Sequence, residues 1–331
     1  MNLLALFLLG TAAHAGPFTH RTSQGPWVQR QVAREYALPK GWLQIELAAD
    51  SKLSTAVRDG QGRLVAAEEG TAWHYSRLWL NVDQGFTRRA RIYAHIPVVR
   101  ARLVSAAGAD TATTALGDVH TGVWYQPWLE KRGALAFQVD LKAPSGVEWP
   151  SDFIGGAANT EGFLTGTGIT NLGAFAHGRV RLGEVLALKG DLGWVHKFPA
   201  VVGYVLEDGG FGNGWLNPGD ELRAGATAEV QLGDAWCLGA DGRFSHRGVY
   251  AVGVSGEGAA RLDLNPIPGS AGYFVDARLG LTFSPVDNFE AGAGFGMQLM
   301  GSDTRLFQAL GLEEFSPQPG PTLELSAVVR W

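Results

Sequence analysis

Charged side chains recur at every second position through much of this chain, with apolar residues between them. They are the residues best able to do chemistry, and that chemistry is electrostatic. Glu46, Arg77, Arg89, Arg91, His95, Asp140, Lys142, Lys189, Asp191, Glu229, Asp241, Arg243, Asp276, Arg278, Glu290 and Glu324 all stand in such runs. Acidic and basic members sit two apart on one stretch or recur in successive stretches. If the space between them is wet, such opposed ladders orient a small polar or amphipathic solute. If it is narrow, they fill it with salt bridges. Both readings stay open from the residue types alone.

His74 and Ser76 suggest a different chemistry. They lie two apart, on the face opposite Arg77. With histidine as base and serine as nucleophile, this is an arrangement a lipid-modifying enzyme would use. No Asn or Asp follows at a spacing that would orient the histidine, so two polar residues near a membrane interface are the plainer account. His20, His95, His120, His177, His196 and His246 show no metal-ligand spacing on one strand. No metal, cofactor or catalytic residue is expected. The glycine run 209–214 belongs to a loop and 292–296 lies inside a strand, so neither is a phosphate loop. Within a strand, glycines facing inward leave room for a bulky partner or solute.

The elements that position these residues follow from a period of two. The alternation predicts about twelve strands: 41–50, 72–83, 87–98, 118–129, 134–143, 170–182, 185–195, 220–232, 236–247, 273–284, 289–300 and a last one ending the chain. In the first, Leu43, Ile45, Leu47 and Ala49 oppose Gln44, Glu46 and Asp50. In the last, Leu323, Leu325, Ala327, Val329 and Trp331 oppose Glu324, Ser326 and Arg330. Strands of about ten residues with one apolar and one polar face fit a wall between lipid and a polar lumen. The connections alternate strictly between short (84–86, 130–133, 183–184, 233–235, 285–288) and long (51–71, 99–117, 144–169, 196–219, 248–272, 301–320). That asymmetry is characteristic of bacterial barrels, with tight periplasmic turns and long outer loops. An even strand count places both termini in the periplasm.

The expectation is an all-β, transmembrane, antiparallel up-and-down barrel over 41–331, closed by the C-terminal strand, in the outer membrane of a Gram-negative bacterium. Trp42, Trp128, Trp236, Phe283, Phe289 and Trp331 fall near one predicted rim, and Trp73 and Trp194 near the other, as two interfacial belts would. Residues 1–15 read as a signal peptide. The apolar run Leu3 to Leu9 is followed by the Ala13-His14-Ala15 cleavage pattern. Residues 16–40 form an N-terminal segment, either periplasmic or folded into the lumen, and 306–312 reads as a short helix in the last outer loop.

Composition sets the limits. No stretch beyond the leader approaches the ~18 apolar residues of a membrane helix. The chain has 46 Gly and 11 Trp, and charged residues make up 18%. The lone Cys237 excludes an intrachain disulfide, and a net charge of −5 gives no sign of nucleic-acid binding.

Three stretches also carry a family likeness: Gly117-Asp118-Val119-His120-Thr121-Gly122-Val123-Trp124-Tyr125, Leu141-Lys142-Ala143-Pro144-Ser145-Gly146, and Gly166-Thr167-Gly168. In order and spacing they resemble a broad group of bacterial outer-membrane barrels assigned to transport in a phenol-degradation pathway, and a related barrel family. The likeness runs loosely from Gly41 to the end. It implies the barrel fold and a transport role, but no catalytic residues or ligand. Trp331 stands where such barrels more often end in Phe. The expected partners are outer-membrane lipids, a small solute and the barrel-insertion machinery, which would read the strand ending at Trp331. The function expected first is a passive channel. A closed structural or surface-binding barrel acting through its long loops comes second, and a lipid-modifying enzyme third.

Overall fold

The computed structural model describes residues 38, 40–58, 64–66, 69–104, 110–130, 132–146, 169–183, 185–205, 211–254, 264–266, 271–286, 288–301 and 320–331. The wall is built from twelve strands: β1 (Leu43–Ser54), β2 (Ala72–Gly85), β3 (Ala90–Val104), β4 (Val119–Leu129), β5 (Gly133–Ala143), β6 (Asn171–Leu182), β7 (Leu186–Lys197), β8 (Glu221–Leu232), β9 (Trp236–Arg247), β10 (Gly272–Val286), β11 (Phe289–Gly301) and β12 (Thr322–Arg330). Each pairs antiparallel with its sequence neighbours, and β12 returns to β1, with Gln44 opposite Arg330 and Asp50 opposite Glu324. The Trp331 and Leu43 backbones exchange two hydrogen bonds, of 3.0 and 2.9 Å, at the seam. Closure leaves the wall without a free edge, so every strand satisfies its backbone groups laterally, as the hydrocarbon interior demands.

Burial shows which face is which. Large apolar side chains are exposed all around the outside, among them Val139, Leu192, Leu279, Leu323 and Leu325, while Glu46, Asp83, Arg91, Asp140, Glu324 and Arg330 are buried. This is the reverse of a soluble protein, in which charged groups seek the surface and contiguous apolar patches stay small. A lipid-facing wall around a polar interior accounts for it. Trp128, Trp236 and Trp331 are exposed at the end with the short turns and Trp194 at the other; Trp236 packs against Phe283 at 4.5 Å. Gly183 and Gly233 supply positive φ angles of 75° and 70° in two of the tight turns.

The differences from the sequence reading lie at strand ends. β3 begins at Ala90 rather than residue 87, because Phe86 and Thr87 donate backbone hydrogen bonds to the Ala90 carbonyl and close a turn. At its other end β3 runs on to Val104 and pairs with a further strand, Asp110–Leu116, inside what reads in sequence as a loop. Other long connections also hold strands: Ala56–Arg58 pairs with Leu64–Ala66, and Ala200–Val205, Phe211–Asn217, Ala251–Val254 and Asn265–Pro266 form a small sheet. The leader 1–15, all but a few residues of 16–40, and the helix expected over 306–312 lie outside the described residues, as does the side chain of Trp73.

Candidate lumenal site

The inward positions carry a network of ion pairs and hydrogen bonds. At the short-turn end, Arg330 donates to Glu290 at 3.1 Å and to the Gln44 side chain at 2.8 Å. Gln44 donates to Asp83 at 3.3 Å, and Asp83 pairs with Arg91 at 3.1 Å. The Arg91 guanidinium lies 5.0 Å from the Trp124 ring centroid. One step further in, Asn81 donates to Glu46 at 3.1 Å. Halfway along, Asp50 accepts from Arg77 and from the Trp79 indole, each at 3.0 Å. Tyr93 donates to Asp140 and accepts from Gln138 at 2.8 Å. Asp241 accepts from Arg243 at 2.6 Å and from Thr227 at 2.7 Å. Lys189 pairs with Glu229 at 2.7 Å, and Arg278 pairs with Glu324. Toward the long loops, Lys142 reaches Asp118 at 2.8 Å and Lys197 reaches Glu221 at 2.9 Å, where Arg223 also binds.

Glycines set how these side chains lie. Gly122 of β4 sits between Tyr93 on β3 and Asp140 on β5, and a Cβ there would be 2.5 Å from the tyrosine oxygen. Gly294 of β11 sits between Arg278 on β10 and Glu324 on β12, 2.9 Å from the carboxylate by the same measure. A Cβ on Gly193 would overlap the Phe175 ring, and one on Gly225 would come 2.5 Å from Asp191. Each glycine is thus a seat on which a neighbour's side chain lies flat against the wall. The sequence reading left the gap at Gly294, in the stretch 292–296, for a solute or a bulky partner; there and at the other three positions the partner is another inner side chain. A Cβ on Gly122 would also lie 2.1 Å from the Val139 backbone carbonyl, so Gly122→Val should push Tyr93 off Asp140, strain the β4–β5 ladder and cost about 1–3 kcal/mol or more by overpacking. Chemical denaturation of the folded barrel would measure it, and unchanged stability would show that the seat is not needed.

The structure brings most of the sequence-predicted residues together on this inner face: Glu46, Arg77, Arg91, His95, Asp140, Lys142, Lys189, Asp191, Asp241, Arg243, Asp276, Arg278, Glu290 and Glu324. His95 stacks on Tyr93 at 4.6 Å. Arg89 is the exception. It lies in the turn before β3, exposed, where its backbone N–H reaches the Thr87 hydroxyl at 3.1 Å and its side chain donates to the Pro127 carbonyl at 3.2 Å. Asp83, Asp118, Lys197, Glu221 and Arg223 are partners absent from the sequence-based set. Asp83, Glu221 and Arg223 share the two-residue spacing of their neighbours, and that signal was there to find them. On the outward face, Ser76 shares a hydrogen bond of 3.0 Å with Ser51.

No family model matches the chain, and the search of curated proteins gave no match. Solved structures do match. The COG4313 outer membrane channel from Pseudomonas putida F1 superposes with a TM-score of 0.67 at 14% identity, over 89% of this chain and 97% of that one. A TodX monoaromatic hydrocarbon channel variant gives 0.45 at 12% identity, covering 88% and 90%. The KdgM porin gives 0.41 at 7% identity, covering 86% and 98%. At such identities the likeness is one of fold, and the chain has the fold of a twelve-stranded outer-membrane β-barrel.

Proposed function

We propose that this chain is a passive outer-membrane channel for small polar or amphipathic solutes, with its short turns in the periplasm and its long loops outside the cell. The observation that supports this reading is the direction of the inner pairs. Arg77–Asp50, Arg91–Asp83, Lys142–Asp118, Lys189–Glu229, Lys197–Glu221 and Arg330–Glu290 each join adjacent strands. Tyr93–Asp140 and Arg278–Glu324 reach one strand further, across a glycine. Charges paired with a neighbouring strand line the wall, whereas the ties that hold a plug together run across the axis. The inner face of β2 to β6 adds aromatic and imidazole rings, with Trp79 near His120 at 6.2 Å and Trp124 against His177 at 4.2 Å. The Pseudomonas putida protein of the same fold is described as a channel.

One observation favours the second reading, a closed barrel. At the short-turn end Gln44, Asp83, Arg91 and Arg330 are almost wholly covered. Recording from purified, folded protein in planar bilayers separates the two. Discrete conductance steps are expected, and persistent silence from folded protein would turn the assignment to the closed barrel. No catalytic role is proposed for His74 and Ser76.

A further inference from the structure

The outward positions of β1 to β12 are apolar, small or uncharged polar almost throughout. Among the described residues they carry two fixed charges, Arg100 and Arg102, and both lie near the long-loop end of β3. Directly toward the middle of the wall, Val98 and its neighbour Leu116 are exposed members of the apolar band. The arginines therefore stand at the long-loop edge of the band, with Leu53 of β1 and Ala72 and Val104 outward beside or beyond them.

Their surroundings form a patch. Across the β2–β3 ladder, His74 faces Arg102 and Ser76 faces Arg100. Ser76 shares its hydrogen bond with Ser51 of β1. On the far side, Thr114 faces Arg100. Asp110 holds Arg102 by a two-pronged contact, from Nε at 2.7 Å and Nη2 at 2.5 Å. This fixes the plane of the guanidinium and leaves its Nη1 donors free of that contact. Arg100 is exposed beside it. Two arginines outweigh one aspartate, so the patch is cationic.

We propose that this patch docks the phosphate of a phosphorylated glycolipid in the outer leaflet. A guanidinium fork matches a phosphate better than any other side chain does. The hydroxyls of Ser51, Ser76 and Thr114 supply further hydrogen bonds, and the apolar band below Arg100 receives the acyl chains. The proposal rests on the outer-membrane placement given above but not on conduction.

The test uses the full-length folded barrel in detergent micelles. It is titrated with bisphosphorylated lipid A, with the same lipid after phosphatase treatment, and with inorganic phosphate alone, and bound lipid is counted by native mass spectrometry. The phosphorylated lipid should bind, and removal of its phosphates should weaken binding at least about tenfold, the equivalent of one charge-assisted hydrogen bond. The Arg100→Ser/Arg102→Ser variant should lose the same preference while keeping its heat-modifiable gel mobility and its bilayer conductance. Equal binding of the phosphatase-treated lipid to the unaltered barrel would overturn the proposal without any variant, and so would an unchanged preference in the double variant. Displacement of the lipid by equimolar inorganic phosphate would also overturn it, because the patch would then be a free-anion site. A barrel that conducts no current but still prefers the phosphorylated lipid would support it while removing the channel.

Discussion

Glu290→Ala should destabilise the barrel by about 3–5 kcal/mol, the usual cost of removing one partner from a buried ion pair. Arg330 has no exposed surface, and its guanidinium is held by Glu290 and by the neutral Gln44 amide. Without the carboxylate, Arg330 loses this buried ion pair, and the Asp83 and Glu46 carboxylates nearby offset the loss only in part. Replacing both partners by leucine should recover much of the loss, since apolar residues of similar size often substitute for a buried pair at little cost. Urea unfolding followed by tryptophan fluorescence would measure both variants. The same substitution also thins the cluster that covers the short-turn end, so surviving Glu290→Ala barrels should pass a larger unit current. A loss below 1 kcal/mol would mean that water reaches Arg330 and that this end is already open.

Leu279→Arg is the second large effect. Leu279 points outward from the middle of β10 and is 59% exposed. An arginine near the bilayer midplane of a barrel's lipid face costs about 2–4 kcal/mol, falling to about 0–1 near the interfaces. Val98→Arg, next to the position where Arg100 already stands, should accordingly cost little. Urea titrations of both variants in phospholipid vesicles would give the contrast. If the two losses were equally small, as for exposed sites on a water-soluble protein, the wall would not face hydrocarbon.

The strands were legible in the sequence because each must satisfy two solvents at once. β9 spans the residues the alternation marks, and β2, β4, β5, β6, β7, β8, β10 and β11 differ from the marked ranges by one or two residues at one or both ends. The end of β3 was not legible, for a related reason. At Arg100 and Arg102 the outward face stops being apolar, yet the hydrogen bonds continue to Val104. The two-faced pattern records how far the lipid extends, and the ladder goes further. Arg89 was misplaced because a turn residue next to a strand carries the same parity as the strand itself. The pairing of inner charges was not legible either: Arg330 meets Gln44 only because the sheet closes, and no local pattern records the register that decides which inner side chains meet across two strands. The role of Gly122 and Gly294 depends on residues two strands apart and has no sequence signature.

The hydrogen bond from Arg330 to Gln44 joins residues 286 positions apart. The seam between β1 and β12 is therefore the least local contact in the wall, and β1 waits for its second neighbour until β12 has been made. Contacts of such wide separation are slow to form, because the loop they close is entropically costly. Until then β1 and β12 each present an unpaired strand edge, which invites pairing with other chains. The lifetime of that open state, rather than the strength of any single strand pair, should set how fast this barrel matures and how readily it aggregates on the way.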